Sequence, residues 1–362
     1  NNSFLGNQAA VSNTTGNANT AVGSKSLYSS ISANDNVAIG FSAMYTTSTG
    51  SFNTAIGSNS LYSNTSGHDN TAVGFETLNK NSTGSYNTAS GYLALQGNTT
   101  GSYNTAYGRN ALKLNTTGEN NTGLGANALI SNVTGGQNVA VGDNSQYMNT
   151  AGSFNTSIGT NALYGGDQGN NNVAAGYHAL HWNRGSSNVG VGYQVLYSND
   201  LGFYNVASGY QAIYSNTNGD HNVANGYKAM FANTTGNYNI AIGTDALNFN
   251  TTGSNNTAIG YNADVIFSSL TNATVIGSNA SVSSSNTMAF GNASIDRWGF
   301  GVSTTNANHA LEVGFNNTNG NGAYLTQGGN WTNTSSRSKK ENFTDINGGD
   351  LLQKIIQMPV QK

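Results

Sequence analysis

The sequence predicts an all-β fold, a parallel β-solenoid built from coils of about 17 residues. Three observations indicate it: an Asn that recurs at a fixed step, a Gly four residues after each such Asn, and a β-branched residue directly after it. Each Asn stands at the seventeenth position after the previous one, except that Asn188 follows Asn172 one position early. The recurring residues are Asn19, Asn36, Asn53, Asn70, Asn87, Asn104, Asn121, Asn138, Asn155, Asn172, Asn188, Asn205, Asn222, Asn239 and Asn256.

Each copy has the chemistry of a short strand followed by a bend. With the Asn as position 0, position +1 is β-branched, position +2 is Ala, Gly or Ser, and position +4 is Gly, as in Asn53-Thr-Ala-Ile-Gly57. β-Branched residues favour strands, and Gly allows a sharp change of direction. We therefore expect one strand at positions +1 to +3 of every coil.

A second short strand is expected around position +8, which is Leu, Met or Ile in all copies but those with Gln146 and Asp264. Turn sequences such as Asn98-Thr-Thr-Gly101 fill the rest of the coil. Strands of successive coils would stack about 4.8 Å apart, which gives a rod of roughly 80 Å.

Both faces of the predicted strand are apolar, and this indicates a partner. Position +2 points to one face and positions +1 and +3 to the other, where Thr, Val, Ile and Leu predominate. Strands of this kind are normally covered on both sides. The interior of the coil, packed by Ala at +2 and Leu at +8, is one cover, and a neighbouring chain is the simplest second cover.

The recurring Asn residues and the recurring Tyr residues each have two interpretations. The Asn at position 0 can form a stacked amide ladder along the rod or can cap a turn. Tyrosines at +9 and +5 can bind sugars or proteins, or can pack against the Tyr of the next coil. The tyrosines at +9 are Tyr28, Tyr45, Tyr62, Tyr164, Tyr197 and Tyr214, and those at +5 are Tyr177, Tyr193, Tyr210 and Tyr227.

The composition excludes several classes of protein. The chain of 362 residues has only 7% charged residues and a formal charge of −3, so it has no basic stripe for nucleic acid. It has no Cys, which excludes disulfides and thiolate metal sites. No apolar run is long enough to span a membrane. The first residues are not a signal peptide, so we expect this sequence to start partway along a longer chain.

The repeat resembles the left-handed parallel β-roll heads of trimeric autotransporter adhesins, whose repeats carry an Ala-Ile-Gly core. The resemblance covers residues 1–295 and is strongest at Thr274–Ser294, where Gly291 stands at the fourteenth position after Gly277 instead of the seventeenth. The usual coil of this chain is longer than the coil of that family. The resemblance implies a homotrimer with an adhesive role at a cell surface.

The C-terminal part resembles the end of phage tail fibres and tailspikes that carry a self-cleaving intramolecular chaperone. The matching residues are His309–Phe315, Gly328–Trp331 and Thr332–Phe343. In that family a Ser and a Lys five residues later form the autoprocessing dyad, and here Ser335 and Lys340 have that spacing. An unprotonated Lys can act as general base for a Ser hydroxyl. Ser336 stands where that family usually has Asp.

The two resemblances give three predicted segments: a rod over 1–295, a neck over 296–334, and the start of a truncated chaperone over 335–362. Within the last segment, Asp350 can cap a short helix and Pro359 can end it, with an apolar stripe between them.

No other motif predicts a site. His178 and His181 are three residues apart, a spacing that on a β-coil places them on different faces, and no third ligand accompanies them. Asn-x-Ser/Thr sequences are interpreted as turns rather than glycan acceptors. They include those that begin at Asn13, Asn64, Asn81, Asn98, Asn115, Asn132, Asn233 and Asn250. We expect no metal and no cofactor.

The leading hypothesis is an extracellular homotrimeric fibre, on a phage, an injection machine or a bacterial surface, that contacts a glycan or protein receptor. Catalysis would be confined to self-cleavage by Ser335 and Lys340. Two alternatives remain open. An ice-binding solenoid would use the Thr row at +1, although Val189, Val206 and Val223 interrupt that row. A polysaccharide-degrading tailspike would need paired acids, which the sequence does not indicate.

Overall fold

The structure is a computed structural model that describes residues 1–165 and 169–294, and beyond them the backbone of four strands. The chain divides into two compact units, Asn1–Asn292 and Ala293–Lys362. The first unit contains β1 (Ser3–Leu5), β2 (Thr20–Val22), β3 (Val37–Ile39), β4 (Thr54–Ile56), β5 (Thr71–Val73), β6 (Thr88–Ser90), β7 (Thr105–Tyr107), β8 (Thr122–Leu124), β9 (Val139–Val141), β10 (Thr156–Ile158), β11 (Val173–Ala175), β12 (Val189–Val191), β13 (Val206–Ser208), β14 (Val223–Asn225), β15 (Ile240–Ile242), β16 (Thr257–Ile259), β17 (Asp264–Val265), β18 (Thr274–Ile276), β19 (Ser281–Val282) and β20 (Met288–Phe290).

The strands stack as the sequence predicts, which confirms the parallel β-solenoid. All of them except β17 and β19 form one parallel sheet of 18 strands. The pairing joins equivalent positions, so that Thr88 lies opposite Thr105 and Ala89 opposite Ala106. The coil that is one residue short keeps the same register, because Val173 lies opposite Val189. The one-residue deletion is therefore absorbed outside the strand.

The Gly at position +4 turns the chain away from the sheet. Its φ is positive in every coil, for example 129° at Gly108 and 139° at Gly125. It also lies directly under the Gly of the next coil: a Cβ built on Gly125 would be 2.5 Å from the carbonyl oxygen of Gly142. Both the backbone angle and the close stacking require Gly here.

The predicted second strand at position +8 is wrong for most coils. Positions +5 to +10 form turns instead, and residues +6 and +8 are left-handed, as at Lys25 (φ 60°) and Leu27 (φ 50°). The stack still continues through the turn, because the Leu27 N–H donates to the carbonyl of Ala43 at 2.9 Å. Hydrogen bonding between coils thus does not need a regular strand at this place.

A second strand does form in the last coils, where β17 and β19 pair with each other. Asp264, the residue that replaces Leu at +8, begins β17, and its carboxylate accepts the backbone N–H groups of Phe249 and Val265 at 2.8 and 2.7 Å. Burial raises the pKa of Asp264 to about 6. The protonated form therefore stabilises the fold below the ordinary pKa of Asp, and this contribution is lost as the pH rises through 6.

Small and branched side chains fill the coil interior. Ala at +2 and Leu or Met at +8 are fully buried in nearly every coil, as at Ala55 and Leu61. Gln146 and Ser157 interrupt this core, with the Gln146 Nε2 donating to the Ser157 Oγ at 2.9 Å. One apolar cluster ends at Ala140 and the next begins at Ala162. The rod therefore has two hydrophobic cores separated by a polar layer.

The Asn at position 0 forms a buried ladder, which decides between its two interpretations. Asn53 donates from Nδ2 to the Oδ1 of Asn36 at 3.2 Å and to the carbonyl of Gly67 at 2.9 Å. Its own Oδ1 accepts the backbone N–H and the Nδ2 of Asn70, both at 3.0 Å. Both donors and both acceptor positions of the carboxamide are used, so the group can be buried without an unsatisfied atom.

A second buried ladder lies at position +11 and was not predicted. Asn98 donates from Nδ2 to the Oδ1 of Asn81 at 2.8 Å and to the carbonyl of Gly101 at 2.9 Å, and its Oδ1 accepts from Asn115 at 2.8 Å. The residues of this ladder are Asn64, Asn81, Asn98, Asn115, Asn132, Asn149, Asn183, Asn199, Asn216, Asn233 and Asn250. Their side chains are fully buried or nearly so. Seven of the Asn-x-Ser/Thr sequences named above, those from Asn64 to Asn250, begin at residues of this ladder, so these residues serve the fold.

The second unit contains β21 (Trp298–Phe300), β22 (His309–Val313), β23 (Ala323–Thr326) and β24 (Trp331–Asn333). β21 pairs with β22 in parallel, and β23 pairs with β22 and β24 in antiparallel fashion. The predicted helix between Asp350 and Pro359 lies outside the described residues.

The stacked glycines give a sharp test of the coil geometry. Gly125→Ala should destabilise the rod by at least about 2 kcal/mol, because Ala would be strained at this φ and would also meet the next coil. Gly123→Ala is the matched control two residues earlier in the coil. Its Cβ would lie 3.4 Å from the nearest atoms, so it should be neutral or slightly stabilising. Chemical denaturation followed by circular dichroism measures both, and equal effects would contradict this account.

Loss of one Asn from the ladder at position 0 should also lower the free energy of unfolding. Asn222 bonds to Asn205, to Gly236 and to Asn239. Asn222→Ala leaves several buried polar groups without partners and should cost about 3 kcal/mol or more. The exposed Asn218 is the control, since its replacement by Ala should change the free energy of unfolding by less than about 0.5 kcal/mol. A loss of similar size in both variants would show that the ladder is not a major source of stability.

Candidate interaction surface

The outward side of the sheet is the candidate interaction surface, which we call the sheet face. It consists of the residues at positions +1 and +3 together with position −1, directly before the Asn. Position +2 is buried and positions +1 and +3 are half-buried or exposed in almost every strand, as the alternation of a strand predicts. The Asn ladder and the buried Ala hold this face in one register along the whole sheet.

The sheet face is almost free of charge, with apolar residues at most +3 positions and either Thr or an apolar residue at nearly every +1 position. From Ser3 to Phe290, positions +1 and +3 contain no Asp, Glu, Lys or Arg, and position −1 contains only Asp35 and Asp69 as charged residues. Large apolar side chains remain open to solvent, with 39% of Ile56 and 42% of Ile242 exposed. Exposed apolar side chains that follow one another along a surface mark interaction sites.

Aromatic rings at position −1 form a ridge along one edge of the sheet face. Tyr86 and Tyr103 stack with their ring centroids 4.9 Å apart, and His221 and Tyr238 do so at 4.8 Å. Phe52 is 60% exposed although it is one of the largest side chains on this side. The ridge adds further apolar area at the border of the strand positions.

The predicted tyrosine rows lie on the next side of the coil and are packed against each other. At position +9, Tyr197 and Tyr214 stack at 5.1 Å, and at position +5, Tyr193 and Tyr210 stack at 5.0 Å. This confirms packing between coils. Because each ring covers the face of its neighbour, the inside of a row offers ring edges rather than faces to a ligand.

The spacing argument for His178 and His181 is wrong. Their rings stack face to face with centroids 4.4 Å apart, because the turn at +6 to +9 brings both onto one side. His181 also lies between Tyr164 and Tyr197, at 5.0 and 4.9 Å. Burial lowers the pKa of both imidazoles. Among the described residues, no group of three or more His, Asp or Glu side chains could hold a metal ion.

The predicted autoprocessing pair, Ser335 and Lys340, lies outside the described residues, as does its neighbour Ser336. Within the described part of the chain, no helix has the length and apolar character that crossing a membrane requires. Within the described residues, the site that the structure supports is a surface of the rod. The sequence indicated this surface through the apolar residues at +1 and +3, but it gave no sign that position −1 belongs to it.

The chain matches no protein-family model, and no curated protein is significantly similar to it in sequence.

Proposed function

We propose that the chain forms the shaft of an extracellular homotrimeric fibre, in which the sheet faces of three copies pack about a common axis. The observation that supports self-association is the nearly uncharged sheet face of the 18-strand sheet, with its row of exposed apolar side chains at +3. The number three, the extracellular location and the receptor-binding role follow from the resemblances described above.

The size of the sheet face is sufficient for a stable contact. Eighteen stacked strands span about 80 Å, and three residues of strand span about 10 Å, which gives roughly 800 Å² for positions +1 to +3 alone. A standard protein interface buries about 800 Å² on each partner. Because the copies have identical sequence and coil spacing, each row of residues on one sheet face could contact the same row on its neighbour along the whole sheet.

A charged double variant tests the contact. Ile56→Asp combined with Ile242→Asp should convert the assembly to monomers, since an unpaired carboxylate is costly to bury in an apolar interface. The control is Ser66→Asp with Thr235→Asp, because both residues are exposed in the turn after the second Asn ladder. Sedimentation equilibrium or native mass spectrometry gives the subunit number.

The wild type and the control should both have three subunits. A monomeric wild type, or a trimer that survives the two Ile→Asp changes, would exclude the sheet face as the trimer contact.

The proposal includes assembly by a self-cleaving C-terminal chaperone, with Ser335 as nucleophile and Lys340 as general base. The chain expressed with its natural continuation should be cut between Thr334 and Ser335, which intact mass detects. Ser335→Ala should abolish the cut, whereas Ser336→Ala should leave it in place. A product that stays whole in the wild type, or a cut that survives Ser335→Ala, would remove the chaperone from the proposal.

A further inference from the structure

A groove of about 420 Å³ opens near the N-terminal end of the rod, on the side of the coil that carries positions +5, +6 and +9. Its lining includes Phe41, Tyr62, Asn59, Asn79 and Lys25. These residues come from four successive coils. The groove does not involve positions −1, +1 or +3, so it is separate from the sheet face.

The aromatic rings of this groove differ from those inside the stacked rows. Tyr62 stacks on Tyr45 at 5.0 Å, but the row ends there because position +9 of the next coil is Asn79. Phe41 is 56% exposed, and position +5 of both adjacent coils is Ser, at Ser24 and Ser58. The Phe41 ring is therefore exposed in this groove, and Tyr62 has another ring on one side only; such rings can pack against the C–H groups of a sugar ring.

Polar groups of the groove have free hydrogen-bonding capacity. Asn79 donates from Nδ2 to the backbone carbonyl of Asn59 at 3.0 Å, which fixes its carboxamide and leaves its Oδ1 as an acceptor. Neither the Asn59 carboxamide nor the Lys25 ammonium has a side-chain partner among the described residues. Carboxamides can both donate to and accept from sugar hydroxyls, and an ammonium binds an anion as a point charge.

We infer that this groove binds an acidic sugar residue, a hexuronate within a glycan chain. The pyranose would pack on Phe41 and Tyr62, its hydroxyls would bond to Asn59 and Asn79, and its carboxylate would pair with Lys25. Within the described part of the chain, Lys25 is the one charged residue in the lining, so the charge of the groove is complementary to an anion. The inference rests on the proposed fibre function, since it specifies the chemistry of its receptor.

Titration calorimetry of the whole chain at low ionic strength tests this inference. The probes are tetrasaccharides of galacturonate, glucuronate and mannuronate, the methyl esters of the same three compounds, and a hexaglutamate peptide. At least one acidic tetrasaccharide should bind, and its neutral ester should bind at least about tenfold more weakly because the contact to Lys25 is lost.

Variants identify the site. Phe41→Ala and Lys25→Gln should each weaken binding of the acidic tetrasaccharide at least about tenfold. Lys25→Gln should also abolish the preference over the ester. The controls are Phe75→Ala, which removes a ring of the same row two coils away, and Lys80→Gln, which removes an exposed cation outside the groove. Both controls should bind like the wild type.

Three results would overturn the inference: no binding of any acidic tetrasaccharide at millimolar concentration, wild-type affinity in Phe41→Ala or Lys25→Gln, or tighter binding of hexaglutamate than of the sugars. Subunit number is measured on the same samples. Trimers without sugar binding would remove only this inference, whereas sugar binding by monomers would remove only the proposed packing of the sheet faces.

Discussion

The structure depends on one constraint: each coil must lie above the next at hydrogen-bonding distance and in the same register. A single coil buries only two small residues and one Leu or Met in its own interior, as at Ala38, Ala43 and Met44, which is far too little to order the chain. Hydrogen bonds and burial between stacked coils supply the remaining stabilisation. Backbone groups in the strand and in the turn, such as the N–H of Leu27, find their partners in a neighbouring coil.

Once coils are stacked in register, identical residues lie next to each other, and only residues that tolerate an identical neighbour fit at the repeated positions. A carboxamide is both donor and acceptor, so Asn53 can bond to Asn36 below and Asn70 above. A charged residue at the same place would meet its own charge in every coil. This explains why the chain is rich in Asn and Gly but has only 7% charged residues.

The same rule shapes the outer surface. Rows of like residues give an apolar sheet face on one side and stacked rings on another, neither of which resembles a cleft with convergent catalytic groups. Function in such a molecule is expected along lengths of surface and at places where a row is interrupted. The groove beside Phe41 and Tyr62 is an interruption of this kind, and so is the polar layer at Gln146 and Ser157.

The sequence by itself determined the period, the parallel stacking, the strand at +1 to +3 and the buried residues at +2 and +8, because a fixed step with strand chemistry and a Gly has few other solutions. The second ladder is also present in the sequence, since Asn81, Asn98 and Asn115 recur at the same step. A turn-forming sequence, however, does not indicate whether its Asn side chain points into the coil or to solvent.

Only the tertiary structure decided that the region around Leu27 is a left-handed turn rather than a strand. Hydrogen bonds to adjacent coils and burial of the Leu side chain offset the local backbone strain there. It also decided that His178 and His181 share one side, since their contact depends on the path of that turn and not on their separation along the chain.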